Sequence, residues 1–178
     1  MALAVLVGAC GDPLSLAPAT FQNRVDTVTV FAVTGTPIHA PSAYLVSLRS
    51  AVRIDFFPTF DFAYHIDESG KRSFLPFDLV TNNTRSFGNP GLQPTSTPFG
   101  EIEVAEQIGY VTKDTVEARL GQVYYVRSEI PGSCGLGLPF YGKLEVLSFD
   151  SAQRSVTFQI LTNINCGYRG LEPGIPER

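Results

Sequence analysis

With 178 residues, 44% of them hydrophobic and 17% charged, the chain is long enough for one domain with a real core, too short for two, and too apolar to stay disordered. Its net charge of −4 lacks the basic footprint of a nucleic-acid binder. Glycine and proline fill 29 positions (16 + 13), which favours turns over long helices, and two histidines, one methionine and no tryptophan leave few parts for haem, copper or histidine-based catalysis.

Residues 2–9 form an unbroken run of apolar or small side chains that ends at Cys10. Such a run cannot cross a hydrocarbon core as a helix, which takes ~20 residues. It does match the apolar stretch of a secretory signal with small residues at its cleavage point. Val7-Gly8-Ala9-Cys10 resembles the lipobox of bacterial lipoproteins: a branched apolar residue, two small ones, then cysteine. The resemblance implies cleavage after Ala9, diacylation of the Cys10 sulfur (palmitate-type chains) and acylation of the new N-terminus. Two or more chains anchor a protein stably where a single chain is marginal. No Lys or Arg precedes the run, so the expectation includes a start codon placed too late and a short basic segment lost. The alternative is a buried N-terminal strand with a core cysteine. Residues 11–23 are rich in Pro, Ala and Ser, the composition of a tether. The expected organisation is a signal-peptide remnant over 1–9, a lipidated cysteine and tether over 10–23, and one β-sandwich domain over 24–178.

Period-two alternation and β-branched or aromatic residues dominate the chain from residue 24 on. They predict strands over 25–34, 43–48, 51–57, 60–67 and 71–77, the last an edge strand because of Pro76. In 60–67 the alternation places Phe60, Phe62, Tyr64 and Ile66 on one face and Asp61, Ala63, His65 and Asp67 on the other. Residues 78–100, rich in Asn, Thr, Ser, Pro and Gly, read as one long irregular stretch, and loops of that length are usually functional. Short strands are predicted around Ile102 and Val104 and over 109–111, 116–120 and 123–128; a short helix over 112–120 is the weaker reading of that segment. A closing hairpin is predicted from 140–149 and 155–163, and an irregular tail from 167 on. Nine to ten short strands in one domain mean an all-β, antiparallel β-sandwich or partly closed barrel.

With Cys10 lipidated, Cys134 and Cys166 form an even pair in an oxidising compartment. Facing residues of a hairpin share a constant index sum, here 149 + 155 = 304, and the cysteines sum to 134 + 166 = 300. Both therefore fall at the open end of the closing hairpin, and a disulfide is expected there. A zinc site needs further ligands, and neither C-x-x-C nor a nearby histidine is present.

Other constellations are weaker. His65 with Asp61 and Asp67 is either a metal or acid–base cluster or the solvated face of a strand. A Ser-His-Asp hydrolase would have to use His65 or His39, and G-x-S-x-G is absent. Gly135-Leu136-Gly137 lacks the third glycine and the helix of a dinucleotide loop. Asp67-Glu68-Ser69-Gly70 lacks the alternating oxygens of a calcium loop. Asn82-Asn83-Thr84 fits a glycosylation acceptor. Tyr124 and Tyr125 point to opposite faces, so one is expected inside and the other exposed; with His65 they are the candidate ligand contacts.

Five motifs in order carry a second resemblance: Phe60-Asp61-Phe62-Ala63-Tyr64, Gly109-Tyr110 leading to Asp114, Gly121-Gln122-Val123-Tyr124-Tyr125-Val126-Arg127, Tyr141-Gly142-Lys143-Leu144-Glu145-Val146, and Val156-Thr157-Phe158. In this order they are similar to HmuY-like lipoproteins, a bacterial family of anchored or secreted all-β proteins, some of which bind haem. Phe60 stands where that family often has tryptophan, and His39 and His65 match no haem-ligating pair. The expectation is a lipid-anchored, extracytoplasmic protein of the bacterial cell envelope, facing the periplasm or the exterior. It has no catalytic residues, cofactor or nucleic-acid partner, and it serves envelope structure or binds a small apolar ligand or an envelope protein. Haem or metal binding of the HmuY-like type is the alternative.

Overall fold

Alternating β-branched and aromatic side chains favour extended backbone wherever one face can be buried, and the described residues form ten strands. The computed structural model describes residues 16–81 and 89–177. In chain order the strands are β1 Val25–Phe31, β2 Ala43–Leu45, β3 Ser50–Val52, β4 Phe62–Ile66, β5 Arg72–Pro76, β6 Gly91–Thr95, β7 Val116–Glu117, β8 Val123–Arg127, β9 Tyr141–Asp150 and β10 Ser155–Asn163. They pair as two five-stranded antiparallel sheets, β1-β10-β9-β8-β6 and β3-β2-β4-β5-β7. The fold is the expected all-β sandwich, and neither sheet closes into a barrel. Among the described residues the only helix longer than a single 3-10 turn is Phe77–Thr81.

The main core lies between the sheets and is mostly aromatic on one side. Phe158 of β10 reaches across so that its ring centroid is 5.9 Å from those of Tyr44 and Phe62 and 6.2 Å from that of Phe74. Phe74 meets Tyr124 of the other sheet edge-on at 5.6 Å. Each such pair adds roughly 0.5–1.5 kcal/mol beyond its buried area. Parts of both outer faces are covered as well. Phe60, Phe77, Ala43, Leu45, Val52 and Ala63 close one outer face. Over the other, residues 99–111 and 170–171 cover Tyr125, Tyr141, Val123 and Leu161. Lys143 is buried in that second layer. Its Nζ donates to the Ile102 carbonyl at 2.8 Å and lies 4.8 Å from the Phe99 ring centre, and burial lowers its pKa against the opposing pull of Glu172 and Glu103.

The closing hairpin matches its expected register. Ser155 faces Asp150 at the turn, an index sum of 305 (155 + 150), and Asn163 faces Tyr141 at the open end, a sum of 304 (163 + 141). The one-residue change is a β-bulge beside Phe158 that leaves Leu147 without a partner and turns it outward, 42% exposed.

Elsewhere the strands are shorter than the alternation predicts. The chain leaves β2 in a 3-10 turn and returns through Arg49 at φ 52, and Arg49 Nη2 donates to the Thr162 carbonyl of the facing sheet at 3.1 Å. After Val52 the chain turns, with Arg53 and Asp55 paired on the surface, where a strand to 57 was expected. The stretch expected to be irregular over 78–100 carries the end of the Phe77–Thr81 helix and the edge strand β6. Gly91 and Pro94 hide that strand in the sequence. A Cβ at Gly91 would stand 2.6 Å from the Val111 carbonyl oxygen, so the close crossing of residue 111 needs glycine there. Pro94 is tolerated because β6 ends its sheet. Strands expected near 102–104 and 109–111 are reduced to single bridges, Val104 to Gly170 and Leu92 to Val111, and no helix forms at 112–120.

Truncating Phe158 to alanine is expected to cost ~3–5 kcal/mol of unfolding free energy, whereas Leu147→Ala, on the bulge, should stay within about 0.5 kcal/mol. Urea titration followed by tyrosine fluorescence compares the two, and equal losses would show that the aromatic seam does not join the sheets.

Candidate functional site

Cys10 lies outside the described residues. Cys134 and Cys166 are joined as expected, with Cα atoms 5.4 Å apart. Cys134 sits in a pair of tight turns, its N–H donating to Pro131 and its carbonyl accepting from Gly137, which absorbs the offset from the hairpin register. The bridge closes a separation of 32 residues and stabilises the fold by roughly 3–4 kcal/mol on a chain-entropy account. Among the described residues no three His, Cys, Asp or Glu side chains group so as to hold a metal ion.

The residues expected on one solvated face with His65 do not share an environment. β4 begins only at Phe62, so Asp61 precedes the regular pleat and turns inward, 1% exposed. Its Oδ2 accepts the Val46 N–H at 2.6 Å and its Oδ1 the Glu129 N–H at 2.8 Å. This carboxylate therefore ties the 3-10 turn after β2 to the chain leaving β8. Asp67 is exposed and organises the β4–β5 turn, accepting from the Ser69 hydroxyl and from the Ser69 and Lys71 N–H groups, which hold its carboxyl below the ordinary value. His65 is half-buried opposite Ser73, and His39 is exposed in the turn after Pro37. The structure does not bring the two histidines or the two aspartates into one cluster.

Tyr124 and Tyr125 do point to opposite faces, but both are buried, because the outer face of the sheet is covered. The Tyr124 hydroxyl donates to the Glu117 carbonyl at 2.6 Å and accepts the Arg119 N–H at 3.2 Å, and burial pushes it up to about 12. Burial also raises Tyr125, against the Thr95 and Thr97 hydroxyls.

Two concavities of the surface bear on the site. The first, about 430 Å³, runs between residues 95–98 and 119–123 with Glu145 at its side, and adjoins a smaller hollow at Val116 and Glu117. Gln122 Nε2 stitches its walls, donating to the Thr95 and Val123 carbonyls at 2.7 and 2.9 Å, and an Arg119–Glu117 ion pair at 2.7 Å marks its rim. Hydroxyls, one amide and one carboxylate make it a groove for polar contacts, and no His or Cys lines it.

The second concavity, about 480 Å³, is the more apolar of the two and lies beside the disulfide, with Phe21, Phe140, Ile164 and Cys166 among its lining. The N-terminal segment forms its wall. Asn165 clamps that segment: its Oδ1 accepts the Thr20 and Phe21 N–H groups at 2.8 and 2.9 Å, and its Nδ2 donates to the Phe21 carbonyl at 2.8 Å. The Tyr168 hydroxyl donates to Ala17, and Asn23 bridges Gly174. Of the tether expected over 10–23, residues 17–23 are thus hydrogen-bonded to the body, and residues 10–15 lie outside the described residues. An asparagine amide presents both halves of a peptide group, but nothing in the sequence says which strand it will meet.

Asn165→Ala is expected to lose ~1–3 kcal/mol and to raise hydrogen exchange at Thr20 and Phe21 before any core amide; uniform exchange across the chain would contradict the clamp. The raised tyrosines set the alkaline limit. An unfolded chain sheds their protons near pH 10 while the folded one keeps them, so stability held below pH 10 falls as pH climbs toward about 12. Urea midpoints measured at stepped pH should show that fall, with a smaller one in Tyr124→Phe. The chain matches no known family model, no curated protein and no solved structure.

Proposed function

We propose that this chain is a bacterial lipoprotein held to a membrane by acyl chains on Cys10, carrying a non-catalytic β-sandwich outside the cytoplasm that binds a partner or serves envelope structure. The observation that carries the reading is the Cys134–Cys166 bond. A small disulfide-stapled domain belongs to an oxidising compartment, and of three cysteines the bond leaves over Cys10, the one that ends the Val7-Gly8-Ala9-Cys10 pattern. The route of the chain adds support. Residues 17–23 lie along the body instead of running through its core, so an anchor upstream of them places no demand on the fold.

The binding role draws on the groove between residues 95–98 and 119–123, which offers a polar protein segment hydroxyl, amide and charged contacts in an open trough.

Intact mass of the protein extracted from membranes, before and after reduction, tests the reading. The expected species begins at Cys10, carries the mass of its acyl chains, and gains ~2 Da on reduction as two thiols form. A soluble, unacylated chain with Cys10 as a free thiol would overturn it.

A further inference from the structure

The end of the sandwich at which the N-terminal segment arrives has an unusual chemistry. Three stretches build it, residues 16–23, 130–142 and 164–168, and none of their 26 residues (8 + 13 + 5) is Asp, Glu, Lys, Arg or His. At the chain-wide charged share of 17%, a set of that size would hold about four. In place of charge, this end exposes large apolar side chains around the apolar groove: Phe21 at 54%, Leu136 at 58% and Leu138 at 39%, with Leu48 at 55% one residue from the groove-lining Ser47. The three stretches are locked together by the disulfide, by the Asn165 clamp, and by Leu16 and Leu138 closing on Gly167, where a Cβ would stand 2.5 Å from Leu16. A rigid, uncharged, apolar patch of this kind marks an interaction surface.

We infer that this pole lies against the lipid surface, with Phe21, Leu136 and Leu138 entering the interface between headgroups and acyl chains. The inference rests on the proposed anchor at Cys10. Leu16 is six residues from Cys10 (16 − 10), and a fully extended chain of that length spans at most ~20 Å. An acyl group on Cys10 therefore holds this pole, and not the far end of the sandwich, within reach of the bilayer. The opposite pole is the β9–β10 turn, some ten residues of strand or about 30 Å away, and it carries Asp150 and Arg154. Apolar burial adds to the acyl anchor, and the absence of charge removes the desolvation cost of approaching the interface.

The chain has no tryptophan, so a single introduced one reports alone. The full-length chain carrying Leu136→Trp, and a second carrying Gln153→Trp at the far turn, would be coupled through Cys10, its one thiol outside the disulfide, to a maleimide lipid in phosphatidylcholine vesicles. Acyl chains brominated in half the samples quench a tryptophan only when it enters the interface. The expected result is severalfold quenching of Leu136→Trp, none of Gln153→Trp, and loss of most quenching when Phe21→Ser and Leu138→Ser are added to Leu136→Trp. Phe21→Trp serves as a second reporter at the same pole. No quenching at either pole, equal quenching at both, or cross-linking of the coupled chain into dimers through this pole would overturn the inference, the last by assigning the patch to a second copy. The acyl mass of the native protein is read separately. Quenching without acylation in the cell would sink the anchor and keep the lipid-facing pole, and acylation without quenching would do the reverse.

Discussion

The molecule depends on Phe158. Its ring stands at the point where three aromatic side chains of one sheet, Tyr44, Phe62 and Phe74, meet the inner face of the other. A sheet of short strands cannot hold itself flat and dry, and two of them become stable only by burying one face each. Here most of the facing strands of one sheet are three to five residues long, so large rings supply area that strand length does not. The bulge beside Phe158 serves the same seam. It lets β9 and β10 run on toward the turn while Leu147 points out and Phe158 stays in.

Polar ties then fasten what the seam leaves loose. Asp61 receives two N–H groups from segments far apart in the chain, and Arg49 reaches across to Thr162. Asn165 captures the incoming N-terminal segment by pairing with the backbone of Thr20 and Phe21, and Asn23, at the end of that segment, bonds through its backbone to Gly174 and through its side-chain amide to the Gly170 and Glu172 carbonyls. Each of these residues is buried or half-buried and bonds to backbone groups of a segment distant in the chain, the commonest kind of partner for a buried polar side chain. With the seam inside and these ties at the margins, both broad faces are covered in part, and the open surfaces include the groove beside β6 and β8 and the pole at the disulfide. The part of the sheet's outer face around Tyr125, where the pattern predicts one exposed tyrosine of the Tyr124–Tyr125 pair, is closed by residues 99–111 and 170–171.

Local pattern carried much of this architecture. The hairpin of β9 and β10 was legible because both strands alternate for about ten residues and the turn between them is unambiguous, and the cysteine pairing came from its register. β4 and β5 were legible from the same alternation. β6 was not: Gly91 and Pro94 are poor strand formers, and they are used there because of a crossing by residue 111 and a position at the sheet edge, both properties of neighbours. The face of Asp61 was misread for a related reason, since alternation assigns faces only while the pleat is regular, and the strand starts one residue later.

The sequence alone determined the class of the fold, the closing hairpin and the disulfide, because each is set by spacing along the chain or by composition. Tertiary structure decided that both central tyrosines are buried, that the expected tether is clamped from residue 17 on, and that three uncharged stretches far apart in the chain meet at one pole. Those outcomes turn on which segments come together across the sandwich, and short-range periodicity carries no record of partners more than a hundred residues away.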